Sequence, residues 1–295
     1  MDENEIQKYK RAGKIGAEIK RDALKMIKPG MKILELANFI EGEIKKNGAK
    51  PAFPVNISIN EIAAHYTPSY DDDRSIQEGD LVKIDMGTHV DGYISDMAFT
   101  YCSKENPLIK GVQEVLDSAI KILKPNLTVG EIGKHIEAKV KSLGLGLIVN
   151  LSGHTLERHV FHGSPSIPNI VNNSQYKLSV GEVIALEPFV CQINGNVKET
   201  NVCEIYRYLQ NKSVRSSEGR KILELARDEY EGFPFAKRWL HEFFSPVKIS
   251  IALRELERVN AIESYPVLKD MRNTPIAQAE DTIIIQDLPI ITTRL

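Results

Sequence analysis

The chain has little cysteine, and what it has is scattered. Cys102, Cys191 and Cys203 are odd in number and far apart. No disulfide frame or CxxC zinc site can be built from them, and they read as reduced thiols of a cytoplasmic protein. Long apolar runs are also missing, so no stretch reaches the length of a membrane span. The opening MDENEIQKYKRAG is too polar for a secretory signal. Charge of one sign is missing as well. The formal charge is −2, with acids and bases interleaved, which argues against nucleic-acid or membrane-surface binding by clustered basic residues. What the chain does have is 295 residues, 42% of them apolar, enough for one large domain or two modest ones.

The most informative stretch is KIDMGTHVDGYISDMAFTYC, residues 83–102. Two β-rich runs flank Asp91-Gly92, the dipeptide of a two-residue type I′ hairpin. That turn sets Val90 opposite Tyr93, Asp85 opposite Ala98 and Gly87 opposite Asp96. Side chains alternate across a strand, so Asp85 and Asp96 share a face as diagonal neighbours, roughly 7–8 Å apart at the backbone. Gly87 is expected to leave space on that face. Buried carboxylates need a partner, hydrogen bonds or a metal, so the pair calls for further ligands.

Along the chain, helices are predicted over 4–27 and 33–47, a strand over 55–59, and a loop carrying His65 and a solvated acidic tip at 71–73. After the hairpin come helices over 108–123 and 129–143, a strand over 147–151, a His-rich loop SGHTLERHVFHGSPSIPN, and an apolar strand over 182–190 holding Glu187. The order of features occurs twice, which points to duplication. Ile27-Lys28-Pro29 matches Leu123-Lys124-Pro125 at an offset of 96, and Glu35, Ile40, Glu41 and Gly48 match Glu131, Ile136, Glu137 and Gly144 at the same offset. Val55–Ser58 resembles Val149–Ser152, and the run ending in Asp85 resembles the run ending in Glu187.

Glu187 then needs a partner strand with a second acid. The next suitable run is IAQAEDTIII, residues 276–285, with Glu280. The second hairpin therefore reads as opened by an insertion. Domains follow: 1–207 with 275–295 as one unit, and 208–274 as a helical, winged-helix-like insertion with helices over 217–229, 234–243 and 247–260 and a short extended piece over 265–268.

Asp85, Asp96, Glu187, Glu280 and one or more histidines form the candidate site. Four carboxylates on one sheet call for counter-charge. Oxygen ligands with one imidazole suit Mn, Fe, Co or Zn. Two such ions, roughly 3.5–4 Å apart, would activate water and polarise a carbonyl, which implies hydrolysis. Of the seven histidines, His89, His135 and His241 are expected in solvent, and His159 at the surface. His65, His154 and His162 remain alternatives for the metal-binding imidazole.

The stretches PAFPVNISINEIAAHYTP, KIDMGTHVDGYISDMAFT, IVNLSGHTLERHVFHGSPSIPN, ALEPF and AQAEDTIII together resemble the methionine aminopeptidases over nearly the whole chain. The insertion before the last ligand strand and the short N-terminal region look like the type II, archaeal subclass. The resemblance implies an α+β pita-bread fold, two pseudo-symmetric αβ halves around a curved antiparallel sheet. It implies two divalent ions: Asp85 on the first, Asp96 and Glu280 bridging, and His154 and Glu187 on the second. It makes His65 and His162 contacts of the scissile amide, Glu187 the proton acceptor, and Phe53 a wall of the methionine pocket, with plain core packing the other reading of Phe53. The implied reaction removes the initiator methionine from nascent proteins whose second residue is small and uncharged. N-terminal Met peptides are the substrates, the ribosome a candidate partner, and a cytoplasmic monomer the expected state. The chain departs from the family at Asp281, where a His is usual. Two alternatives are a proline-specific peptidase of the same fold and a non-catalytic relative that binds no metal.

Overall fold

The computed structural model describes residues 1–295. Two αβ halves share one plan. In the first, α1 (Glu3–Met26) and α2 (Ile33–Lys46) lie against a sheet of β1 (Asn56–Ile59), β2 (Val82–Val90) and β3 (Tyr93–Tyr101). In the second, α3 (Pro107–Ile120) and α4 (Val129–Ser142) cover β4 (Ser152–Glu157), β5 (Val160–Pro168) and β6 (Val183–Leu186). Capping boxes at Asp2/Glu5 and Thr128/Glu131 fix the starts of α1 and α4. Each half encloses an apolar core of 23 buried residues between its helices and its sheet, so neither half is an appendage of the other. Alternation assigns the faces. Ile84, Met86 and Met97 point into the first core, which leaves Lys83, Asp85, Gly87 and Asp96 on the concave side.

The β2–β3 hairpin has the expected register: Val90 pairs with Tyr93, Asp85 with Ala98 and Gly87 with Asp96. Asp91 and Gly92 both have positive φ, 53° and 84°, as a type I′ turn requires. The opened second hairpin is also present. The strand β9 (Asp281–Ile284) pairs with β6, Asp281 opposite Leu186 and Ile284 opposite Val183. Just before it, Gln278 pairs with Phe189.

The internal symmetry differs from the sequence matching in two places. The register of β6 with β9, continued through Gln278–Phe189, sets Glu187 opposite Glu280. Asp85 lies opposite Ala98. Asp85 and Glu187 are thus equivalent, but the counterpart of Glu280 is Ala98, and Asp96 answers to Gln278. The match of Val55–Ser58 to Val149–Ser152 is displaced by two residues. Asn56 pairs with Asp85, and the β4–β6 register that sets His154 opposite Ala185 gives the corresponding place to Ser152. Two irregularities in the β4–β5 ladder and the break at Pro188 hid this phase.

The halves meet where β3 faces residues 278–282. Ala98 and Glu280 exchange backbone bonds of 3.0 and 3.3 Å. On either side a threonine hydroxyl replaces the direct ladder. Thr100 Oγ1 accepts from Gln278 N at 2.8 Å and donates to Gln278 O at 2.7 Å. Thr282 Oγ1 does the same with Asp96 N and O, at 2.8 and 2.7 Å. The pseudo-twofold axis through the Ala98–Glu280 bridge exchanges the two threonines. Thr282→Val keeps the shape but strands both backbone groups of Asp96, so we expect it to cost about 2–4 kcal/mol in urea unfolding of the metal-free protein. A loss under about 1 kcal/mol would show the hydroxyl to be dispensable.

The stretch after the second half's core strands forms a ribbon of β7 (Val197–Tyr208) and β8 (Ile262–Asp270), which pair from Val197–Asp270 to Tyr208–Ile262. Between them α5 (Ser217–Glu224), a π-helical turn (Leu225–Glu229), a 3-10 turn (Lys237–Glu242) and α6 (Pro246–Arg258) pack on a 14-residue core of their own. Ile62–Ala64 joins the far edge of β8. Three expectations fail here. The helix predicted over 217–229 relaxes into the π turn, and that over 234–243 is a two-residue strand, Phe235–Ala236, followed by the 3-10 turn. The piece over 265–268 is part of the nine-residue β8.

Candidate metal centre

All eight residues singled out from the sequence line one cavity of about 300 Å³ on the concave face. They are Phe53, His65, Asp85, Asp96, His154, His162, Glu187 and Glu280. Asp85 and Asp96 come from adjacent strands, and Glu280 from the bridge to Ala98. Glu187 follows β6 at the break before Pro188.

The histidines are not on a loop, as the Gly- and Pro-rich sequence suggested. His154 lies on β4 and His162 on β5, two strands of one hairpin. Interruptions of the β alternation by Gly163, Pro165 and Pro168 concealed the pairing. His154 Nδ1 lies 3.3 Å from the Thr155 carbonyl, an acceptor only, so Nδ1 holds the ring proton and Nε2 presents its lone pair. That Nε2 is 3.5 Å from Asp96 Oδ2 and 3.8 Å from Glu187 Oε1. The ring of His162 lies 4.6 Å from that of His154, centre to centre. His65 follows Ile62–Ala64 with φ 63°, and its Nδ1 lies 3.2 Å from the Pro266 carbonyl on β8. This leaves Nε2 of His65 as an acceptor too.

The carboxylates crowd one another. Burial pushes Asp85 up to about 7, against the pull of a long hydrogen bond from Gln278. Asp96 is raised well above the usual range by burial and then by Asp85. Glu187 is raised by burial, then Asp85 and Asp96, and Glu280 by burial, then Asp96, Glu187 and Asp85. Burial drives the imidazoles the other way, His154 to about 4 and His162 to about 2, the latter also repelled by His154 and His65. Neutral imidazoles are ligands; imidazolium is not.

Residues Asp96, His154 and Glu280 bring one ligand atom each within 4.8 Å of one another. Asp85 Oδ1, Asp96 Oδ1 and Glu280 Oε1 are buried without any hydrogen-bond partner. Buried oxygens are rarely left so, and three of them beside an imidazole lone pair form a donor set that suits divalent cations.

Several neighbours correct or extend the sequence reading. The space opposite Asp96 is not open, because a Cβ on Gly87 would overlap the Phe53 ring. Phe53 is buried and lines the cavity, so it is both core and wall. Lys83, two residues before Asp85 on the same face, is fully buried and donates to the carbonyls of Asn60 at 2.9 Å and Ile276 at 3.0 Å. Burial lowers its amine to about 7. The spacing to Asp85 could have marked it. Tyr265, on the ribbon, stands edge-on to His65 at 5.6 Å; nothing local in the sequence marks it. Asp281, where the family has His, points out of the cavity. It accepts from Thr293 Oγ1 at 2.6 Å and Arg294 Nε at 2.8 Å, and so ties β9 to the C-terminal residues.

Other expectations for polar residues divide. His89 is not in solvent but buried, its ring 4.4 Å from Phe233 and its Nδ1 accepting from Gly92 N at 3.2 Å. His135 and His241 are half-buried, against Ser118 and Tyr70. His159 is exposed. Of the acidic tip, Asp71 and Asp73 are exposed, but the Asp72 carboxylate is covered by Tyr66 and Arg74.

A carboxylate-and-imidazole cage on the inner face of a duplicated αβ sheet defines a metallopeptidase of the pita-bread class, and residues 7–221 match the family described as Metallopeptidase family M24. The chain is 44% identical to the methionine aminopeptidase of Thermococcus onnurineus (strain NA1) over 289 residues, 97% of each chain. It is 44% identical to that of Pyrococcus abyssi (strain GE5 / Orsay) over 294 residues, 98% of this chain and 100% of the other. It therefore belongs to metallopeptidase family M24 and, within it, to the methionine aminopeptidases, which are hydrolases. Among solved structures, the methionine aminopeptidase from Thermotoga maritima superposes with a TM-score of 0.71 at 24% identity, covering 100% of this chain and 98% of that one. A thermophilic Arx1 superposes at 0.87 with 18% identity, covering 100% and 92%. These two likenesses speak for the fold. No helix is long and apolar enough to cross a membrane.

Proposed function

We propose that the chain removes the initiator methionine from nascent proteins whose second residue is small and uncharged, using two divalent ions. Asp85 would hold the first ion, His154 and Glu187 the second, and Asp96 and Glu280 would span both. The observation that carries this reading is the convergence of four carboxylates, three of them with a buried oxygen that has no partner, on one neutral imidazole in a cavity walled by Phe53. Bound ions would polarise the scissile carbonyl and make a water acidic enough to attack it. Glu187 would take up the proton from that water, and its raised proton affinity in the metal-free site suits a base once cations are near. His65, with Nδ1 committed to Pro266, can accept a hydrogen bond from the substrate amide. His162, which also lines the cavity, can stabilise charge on the former carbonyl oxygen. Phe53 and Phe161, with ring centres 4.7 Å apart, offer an apolar surface for a methionine thioether.

The test is turnover of Met-Ala-Ser after reconstitution with Mn, Fe, Co or Zn in turn, beside Met-Lys-Ser and an Xaa-Pro peptide. Met-Ala-Ser should be cleaved at least 100-fold better than either. Preference for the Xaa-Pro peptide would contradict the reading, as would a protein that neither binds metal nor cleaves.

A further inference from the structure

Among the contacts between the 208–274 segment and the first half is a buried polar cluster. Arg238, in the 3-10 turn, is 7% exposed, and Glu41, on α2, is 6% exposed. Arg238 Nη2 is paired with Glu41 Oε1, and its Nη1 bonds Thr67 Oγ1 and, at 3.2 Å, the Pro68 carbonyl. Trp239 Nε1 donates to the other Glu41 oxygen at 2.8 Å.

Two of the guanidinium's three partners hold the same residue. Val55 N donates to Glu41 Oε1 at 3.2 Å, and Thr67 Oγ1 donates to the Val55 carbonyl at 2.8 Å. Val55 lies two residues beyond Phe53, and Thr67 two beyond His65; Phe53 and His65 both line the cavity. One arginine thus ties two separate wall segments to the segment that also contributes Pro234 and Tyr265 to the cavity. The duplication supplies a control. Glu137, which corresponds to Glu41, also accepts from a backbone amide, Val171 N at 2.6 Å, and no guanidinium is paired with it. Of these two corresponding glutamates, only the one in the half whose wall carries Phe53 is paired with an arginine.

We propose that Arg238 is a positioning residue for specificity: through Glu41 and Thr67 it sets the width of the side-chain pocket that Phe53 closes and the stance of His65. The proposal rests on the assignment of this cavity to the methionine side chain. A planar fork held on two sides fixes its partners more tightly than a point charge would. The expected fault on its loss is therefore poor fit rather than lost chemistry.

The test uses the full-length, Mn-loaded enzyme and the variants Arg238→Met, Arg238→Lys and Trp239→Phe. For Arg238→Met, KM for Met-Ala-Ser should rise tenfold or more with kcat within threefold. Preference for Met-Ala-Ser over Leu-Ala-Ser should fall at least tenfold, and the Mn dissociation constant should stay within twofold. Arg238→Lys should recover part of the preference and Trp239→Phe should lose less. Should Arg238→Met not fold, the double variant Glu41→Gln/Arg238→Met, which leaves no lone buried charge, takes its place. Hydrogen exchange at the Val55 amide gives a readout independent of turnover and should speed at least tenfold. Unchanged KM and preference in folded variants would overturn the proposal, as would unchanged exchange at Val55. Wild-type enzyme that ignores Met peptides would instead overturn the pocket assignment, with the exchange result still judging the clamp.

Discussion

Replacing Glu187 by Gln should lower kcat/KM for Met-Ala-Ser by about 10³-fold, or roughly 4 kcal/mol of transition-state stabilisation. The same change should leave the metal-free protein at least as stable as wild type. The two signs follow from one environment. Glu187 is buried beside Asp85 and Asp96, and both push its proton affinity up. Without cations, an ionised carboxylate there is a liability that a neutral amide of the same shape removes. With cations, that charge is the ligand and the base. Activity within tenfold of wild type would remove Glu187 from the proposed role. A thermal melt of the metal-free variant far below wild type would mean that its carboxylate is held by something other than repelling neighbours.

The second large effect is a stability that falls as pH rises in the metal-free protein and is restored by metal. Unfolded carboxyl groups lose their protons near pH 4. In the folded chain Asp85 holds its proton to about 7, and Asp96, Glu187 and Glu280 hold theirs well above the usual range. Above the unfolded value the native state therefore carries more protons, and stability drops with pH. Two sets of groups oppose this. Four histidines, His65, His89, His154 and His162, have lowered values, so their stabilising trend with pH ends near the unfolded value of about 6.5. Lys83, lowered to about 7, is neutral in the folded protein above that pH while its unfolded form stays charged, and it offsets one carboxylate. Past the range of the histidines the raised carboxylates outnumber the one amine, so stability of the metal-free protein should fall as pH rises through neutrality. Divalent ions displace the protons, so Mn at a hundred times its dissociation constant should add about 2.7 kcal/mol and flatten the profile. Urea titrations at several pH values, with EDTA and with Mn, measure both. Metal-free stability that rises with pH through neutrality would contradict the account.

The first sheet was legible because its signals are local. Asp91-Gly92 admits one tight turn, and that turn dictates every pair from Val90–Tyr93 to Asp85–Ala98. Glu280 was found because a duplicated plan demanded a partner for Glu187, not because anything near it announced a site. The demand chose the right strand and the wrong symmetry mate. A match two residues out of phase keeps every side chain on the correct face of a strand, so face arguments could not expose it. The β4–β5 hairpin was lost to Gly163, Pro165 and Pro168, which read as loop until a neighbouring strand supplies hydrogen bonds. His89 was misjudged because its cover, Phe233, comes from the distant insertion, and Asp72 because Tyr66 and Arg74 of its own loop turn back onto it. The Arg238–Glu41 pair spans nearly two hundred positions, and no periodicity or motif joins residues that far apart.

The central claim is that Asp85, Asp96, His154, Glu187 and Glu280 form one cage for two cations. Anomalous diffraction from crystals grown with Mn tests it directly. Two peaks roughly 3.5–4 Å apart, held between them by these five side chains, are the predicted result. Manganese bound elsewhere with the cage empty, or a cage that takes no manganese at saturating concentration, would contradict it.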